Sequence, residues 1–153
     1  MPARITVRIQ TEDFDLSAEV SALLSGLRDT GAVVTFSGLC RGEDGTLAAL
    51  ELEHYPGMAE AEIRRIAEQA AARWPVTALC AIHRVGRIAP GENIVLVVAA
   101  SAHRQAAFDA ASFLMDFLKS RAPFWKKEHL RDGSEGGWVD AKESDEAALR
   151  RWS

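Results

Sequence analysis

No stretch of this sequence stays apolar for long. The longest run, Ile94 to Ala100, has seven residues. A helix needs about 20 to cross a bilayer, so no membrane span is expected. Met1, Pro2, Ala3 and Arg4 have no apolar signal core behind them, and no secretory signal is expected. Cysteine is scarce. Cys40 and Cys80 permit one bridge at most, and both are read as reduced thiols of a cytoplasmic protein. Metal-ligand spacing is missing: His54, His83, His103 and His129 are scattered, with no Cys-x-x-Cys and no His-Glu-x-x-His. Neither a metal nor a cofactor is expected. Excess positive charge is missing too. A formal net charge of -4 argues against a dedicated nucleic-acid binder while leaving room for a local basic pocket.

What is present suits one domain spanning residues 1–153: 48% of the residues are hydrophobic and 26% charged, enough for a core without staples. Ile5, Val7 and Ile9 alternate with polar residues and predict a strand. Phe14, Leu16, Val20, Leu23, Leu24 and Leu27 predict a helix, with Asp15 or Ser17 as N-cap. Residues 32–36 and 47–53 predict two strands, joined as a hairpin through Gly42-Glu43-Asp44-Gly45. Ile63, Ile66, Ala67, Ala70 and Trp74 lie at helical spacing, and Pro75 stops that helix. Strands follow at 76–83 and 93–100. A last long helix runs from about His103 to Arg121. Residues 129–137 read as irregular and mobile, before a short helix near 144–152. This order implies an α+β fold with helices packed on a mixed, mostly antiparallel sheet.

The chemistry concentrates near the end of the long helix. Lys119, Arg121, Lys126, Lys127 and Arg131 face only one acid, Glu128, with Phe124 and Trp125 among them. Two readings stand. One is a solvated basic surface over buried aromatics. The other is a pocket for a flat ring carrying an anion, since Lys and Arg neutralise phosphate and aromatics cover heterocycles. At about 100° per residue, Arg104, Phe108, Ala111, Met115 and Lys119 share one helical stripe. Lys119 is then either a border lysine reaching for water or an amine held over an apolar floor. Arg104 and Lys119 stand roughly 22 Å apart along one helix. If both serve one small ligand, two chains must share the site. Arg41 closes a glycine-flanked segment, and Cys40 reads as a small buried hydrophobe before it reads as a nucleophile.

Longer motifs run through most of the chain: Gly31-Ala-Val-Val-Thr-Phe-Ser-Gly38 with Arg41, Leu52-Glu-His-Tyr-Pro-Gly-Met58, Ile82-His-Arg-Val-Gly86, Ser101-Ala-His-Arg104, Phe113-Leu-Met-Asp-Phe-Leu-Lys119, Arg121-Ala-Pro-Phe-Trp-Lys-Lys-Glu128 and Trp138-Val-Asp-Ala-Lys-Glu-Ser144. In these motifs the sequence resembles the large, catalytic subunits of molybdopterin synthase. The resemblance implies an α/β hammerhead fold with an additional small antiparallel subdomain. It implies a sulfurtransferase of molybdenum cofactor biosynthesis. Such an enzyme converts cyclic pyranopterin monophosphate to molybdopterin, taking two sulfurs from the C-terminal glycine thiocarboxylate of a small ubiquitin-like subunit. It further implies a heterotetramer built on a central homodimer. By motif, Lys119 and Lys126 match the catalytic lysines. Leu39, Cys40, Arg41, His103, Arg104, Lys127 and Glu128 match the substrate-binding segments. The chain departs from the family at Leu39, where lysine is frequent, and near Lys142, where arginine is frequent. The alternatives from other classes are a non-catalytic pterin or nucleotide-phosphate module, a scaffold for a ubiquitin-like partner, and a single-strand nucleic-acid binder using Phe124, Trp125 and the lysines.

Overall fold

The structure, a computed structural model, describes residues 2–139 and 143–152. Two central strands, β4 (Val76–Arg84) and β6 (Asn93–Ser101), are buried on both faces, which is why they read as near-continuous apolar runs. They pair antiparallel. β1 (Arg4–Gln10) joins β4 in parallel, and β2 (Ala32–Leu39) joins β6 antiparallel, so this first sheet has the order β1-β4-β6-β2.

Strand alternation sorts the core into two layers. Ala78, Cys80, Ile82, Leu96, Val98 and Ala100 face α1 (Leu16–Leu24), with Phe14, Leu16, Val20 and Leu23 over them. The Asp15 side chain accepts from the Ala18 amide at 3.0 Å and caps that helix, one of the two expected caps. Leu79, Ala81, Val95, Val97 and Ala99 face the other way. They meet Ile63, Ile66 and Ala70 of α2 (Met58–Arg73) and Phe113, Leu114 and Leu118 of α3 (Arg104–Ser120). Helix α4 (Glu143–Arg150) lies beside α3, and Trp152 after it packs edge-on against Phe113 and Trp74.

A second sheet corrects two expectations. The strands at 32–36 and 47–53 do not form a hairpin. β2 stays in the first sheet, while β3 (Leu47–His54) enters an antiparallel sheet of order β5-β3-β7-β8, with β5 (Gly86–Ile88), β7 (Phe124–Leu130) and β8 (Glu135–Val139). The separation happens at Cys40. Its amide donates to Glu92 O at 2.9 Å, and its carbonyl accepts from the Gly91 amide at 2.8 Å. A tight turn follows, with Glu43 and Asp44 at φ 51° and 55°, and it sends the chain into the other sheet. Residues 129–137, expected to be irregular, form the end of β7, a turn and most of β8. Asp132 Oδ1 accepts from the Ser134 amide at 2.8 Å to set that turn. The charged β7 sequence carries no apolar alternation of its own, and pairing with β3 makes it a strand.

The seam between β2 and β6 requires Gly31. A Cβ there would stand 2.4 Å from the Ala102 carbonyl oxygen, a backbone atom that cannot step aside. Gly31→Ala should destabilise the fold by about 1–3 kcal/mol, read as a lower urea midpoint at unchanged slope. An unchanged midpoint would show that the turn at Ala102 relaxes freely.

Candidate functional site

Helix α3 begins three residues after β6 ends and packs back over β6 and β2, so it runs opposite to β6. Its last turn therefore lies where β6 begins. At that same end β2 finishes, with Leu39 opposite Asn93, and β4 finishes, with His83 opposite Val95. The connection after α3 is short, so β7 starts there as well. Lys119, the segment Leu39–Cys40–Arg41, His83, Phe124 and Lys126 are thus gathered at one end of the molecule. His103, the N-cap of α3, and Arg104, its first residue, stand at the other end. A single chain does not bring them to Lys119.

His83 is the centre of this gathering and was not among the residues singled out by sequence. It is buried, and its ring stacks on Phe124 with centroids 3.9 Å apart and planes 13° apart. His54, opposite Phe124 in the β3–β7 ladder, approaches the other ring at 6.3 Å. His83 Nδ1 lies 2.8 Å from the Arg84 carbonyl oxygen. A carbonyl only accepts, so Nδ1 carries the proton and donates. The imidazole is pushed down to about 4, chiefly by burial. The bond to Arg84 opposes this, and the charges of Lys126, Lys119 and His54 add to it. One signal could have found it: His83 continues the core-facing series Leu79, Ala81, where a polar residue is out of place.

The basic run of the sequence is split by the pleat of β7. Phe124, Lys126 and Glu128 share one face; Trp125, Lys127 and His129 share the other. Lys127 Nζ lies 2.7 Å from Glu135, whose carboxylate holds the ammonium above its usual range. His129 Nε2 lies 2.8 Å from Glu51. So Lys127 does not extend the Lys126 surface, although it is the next residue. The two aromatics also part company. Phe124 lies under His83, while Trp125 is exposed and meets Tyr55 edge-on at 5.2 Å. Glu53, His54, Tyr55 and Trp125 line an open cleft of about 280 Å³ there.

At the end of β2, Leu39 is half-exposed, and the exposed Arg41 guanidinium lies 3.5 Å from Glu43. Cys40 turns inward among Leu47, Leu52 and Ile88, with its thiol pushed up by burial, and its backbone groups are already used. That leaves it a packing residue and a poor nucleophile. Cys80 is likewise a free, buried thiol, pushed up to about 11. Lys142 lies outside the described residues. Among the described residues no helix is long and apolar enough to cross a membrane, and no group of His, Cys, Asp or Glu is arranged to hold a metal ion.

Comparison with known proteins agrees with this architecture. A family model described as MoaE protein matches residues 9–121. A molybdopterin synthase catalytic subunit from Mesorhizobium japonicum is 73% identical over 147 residues, covering 96% of this chain and 92% of that protein. Among solved structures, the molybdopterin biosynthesis MoaE protein from Burkholderia ambifaria matches with a TM-score of 0.83 at 49% identity, covering 97% of each chain. The molybdopterin synthase from Staphylococcus aureus matches with a TM-score of 0.75 at 28% identity, covering 91% of this chain and 97% of that one.

The buried imidazole links stability to pH. Its folded value lies below the ordinary 6.5, so below that pH the unfolded chain binds the extra proton. The stabilising contribution is complete above about pH 6.5 and is lost as pH falls towards 4, up to roughly 3 kcal/mol. Urea unfolding at pH 7 and pH 4.5 should therefore show a smaller acid-induced loss in His83→Phe than in the wild type. Equal losses would show that this histidine is not held neutral.

Proposed function

The chain belongs to the MoaE protein family, and from this premise we propose that it is the catalytic subunit of a molybdopterin synthase. It converts cyclic pyranopterin monophosphate to molybdopterin, installing two dithiolene sulfurs. The sulfur arrives as the C-terminal glycine thiocarboxylate of a small ubiquitin-like partner, and the reaction takes place in the cytoplasm. One observation carries the reading: Lys119 and Lys126, which come from different elements 7 residues apart in sequence, both act electrostatically on the same buried imidazole. Two cations beside a stacked aromatic floor suit a flat ring bearing an anion.

In this reading Lys119 stands beside the incoming glycine tail and assists transfer of its sulfur to the pterin side chain. Lys126 moves protons or holds the developing anion. Arg41 contacts the phosphate, and Leu39 supplies shape where family members often supply a lysine. Glu128, on the Lys126 face, extends the same wall, while Lys127 supports it from behind through Glu135. No sulfur nucleophile is asked of this chain, which suits two buried thiols.

His103 and Arg104 enter through a second copy of the chain. The edge strand β2 exposes Val33, Phe36 and Leu39, and the neighbouring α3 exposes Phe108 at 56%. Such a surface is suited to coverage by another subunit. A symmetric pairing would carry Arg104 of one copy towards Lys119 of the other.

Two experiments test this. The purified chain is incubated with cyclic pyranopterin monophosphate and the thiocarboxylated partner, and the products are oxidised to the fluorescent molybdopterin derivative. The wild type should give product and Lys119→Ala essentially none. Binding of both ligands without any product would favour the binding-module reading. For the shared site, Arg104→Ala and Lys119→Ala chains, each inactive alone, are exchanged into mixed dimers. Each mixed dimer regains one intact site, so activity should return. No recovery despite proven exchange would sink the shared site.

A further inference from the structure

Helix α3 carries an acid where one is unwelcome. Asp116 stands shortly before the helix ends at Ser120, towards the pole that disfavours anions, and aspartate is a weak helix former. Its side chain is only 16% exposed, so its charge needs donors. The segment after α4 supplies them. Arg151 donates to Asp116 Oδ2 at 2.8 Å and to the Ser112 hydroxyl at 3.3 Å. The Trp152 indole N–H donates to the same Asp116 oxygen at 2.5 Å. The Trp152 ring stands edge-on to Trp74 and Phe113, and Arg73 at the end of α2 donates to the Trp152 carbonyl at 3.1 Å.

The place of this clasp in the chain ties it to the two lysines. Asp116 lies one helical turn before Lys119, and Trp152 is 36 residues further along. Lys119 and Lys126 both fall within the loop that the clasp closes. The return path is direct. Val139, the last residue of β8, lies opposite Lys126 in the β7–β8 ladder, α4 begins at Glu143, and α4 packs along α3. We propose that Asp116 is a positioning residue of the candidate site: by anchoring Arg151 and Trp152 it fixes the strand that carries Lys126 relative to the helical turn that carries Lys119.

The carboxylate suits this task. One oxygen takes a charged donor and a neutral donor from adjacent residues, which sets the direction of the segment as well as its distance. An unclosed loop would sample many separations of its ends, and a displacement of about 1 Å far from the chemistry is enough to slow a reaction that needs two placed groups.

The consequence for turnover rests on the function proposed above, so the test has two arms. The first needs no activity. Amide hydrogen exchange of the full chain in Asp116→Ala should be roughly 10-fold faster in β7 and β8, the effect of one lost charged hydrogen bond, and unchanged in β4 and β6. Faster exchange confined to α4 and residues 151–152, or spread equally over all strands, would overturn the proposal in favour of a local or general packing role. The second arm is turnover with the pyranopterin and the thiocarboxylated partner. Asp116→Ala should lower kcat roughly 10-fold with little change in KM, and Asp116→Asn, which keeps an oxygen for the indole, should lose less. Trp152→Phe keeps an aromatic ring without the N–H, and adding it to Asp116→Ala should cost nothing further. A wild-type kcat in Asp116→Ala, or losses that multiply in the double variant, would overturn the proposal. If Asp116→Ala does not fold, Asp116→Asn is read in both arms by the same outcomes. Failure of the wild type to form product would instead strike the proposed function, leaving the exchange result to decide Asp116.

Discussion

At the end of β4 one peptide step separates two buried polar side chains, and the working end of the molecule depends on their pointing apart. Arg84 turns towards the α1 layer. Its guanidinium donates to the Thr11 carbonyl at 2.8 and 3.1 Å and to the Asn93 carbonyl at 3.0 Å, with Glu92 at 3.7 Å. A buried guanidinium is expensive unless its donors are met, and meeting them ties together the end of β1, the end of β4 and the start of β6. His83 turns the other way and lies on Phe124 of the second sheet. Strand alternation thus makes one dipeptide the joint between the two sheets.

This joint explains how a chain of net negative charge brings two lysines to its candidate site. The lysines are not a surface cluster of the kind a run of basic residues suggests. β7 sends Lys127 to the far side, where Glu135 engages it, and keeps Lys126 on the side of His83 and α3. Lys119 arrives from the last turn of α3, near the helix C-terminus, where the macrodipole favours a cation. Two charges from separate elements act on one buried ring.

The same architecture keeps the residues of the proposed shared site apart within one chain. Helix α3 is continuous from Arg104 to Ser120, which holds its first and last basic residues roughly 22 Å apart. The exposed apolar residues on β2 and α3 lie along the edge that the first sheet leaves unpaired. The proposed sharing and the exposed edge both go back to the placement of β2 beside α3.

Sequence alone determined the elements whose stability is local or whose pattern is strong. Alternation located β1, helical spacing located α2 and α3 with their buried faces, and apolar runs located β4 and β6. The motifs around Lys119 and Lys126 pointed to the family and to the chemistry. The 22 Å separation of Arg104 and Lys119 followed from helix geometry before any fold was known. Tertiary structure alone decided the rest, because the deciding interactions join residues distant in the chain. β2 and β3 parted company through bonds between Cys40 and residues 91 and 92. The charged β7 and β8 became strands by pairing with β3. His83, one scattered histidine among four in the sequence, became the centre of the candidate site because Phe124 stacks on it and the charges of Lys126 and Lys119 act on it from more than 30 residues away in the chain.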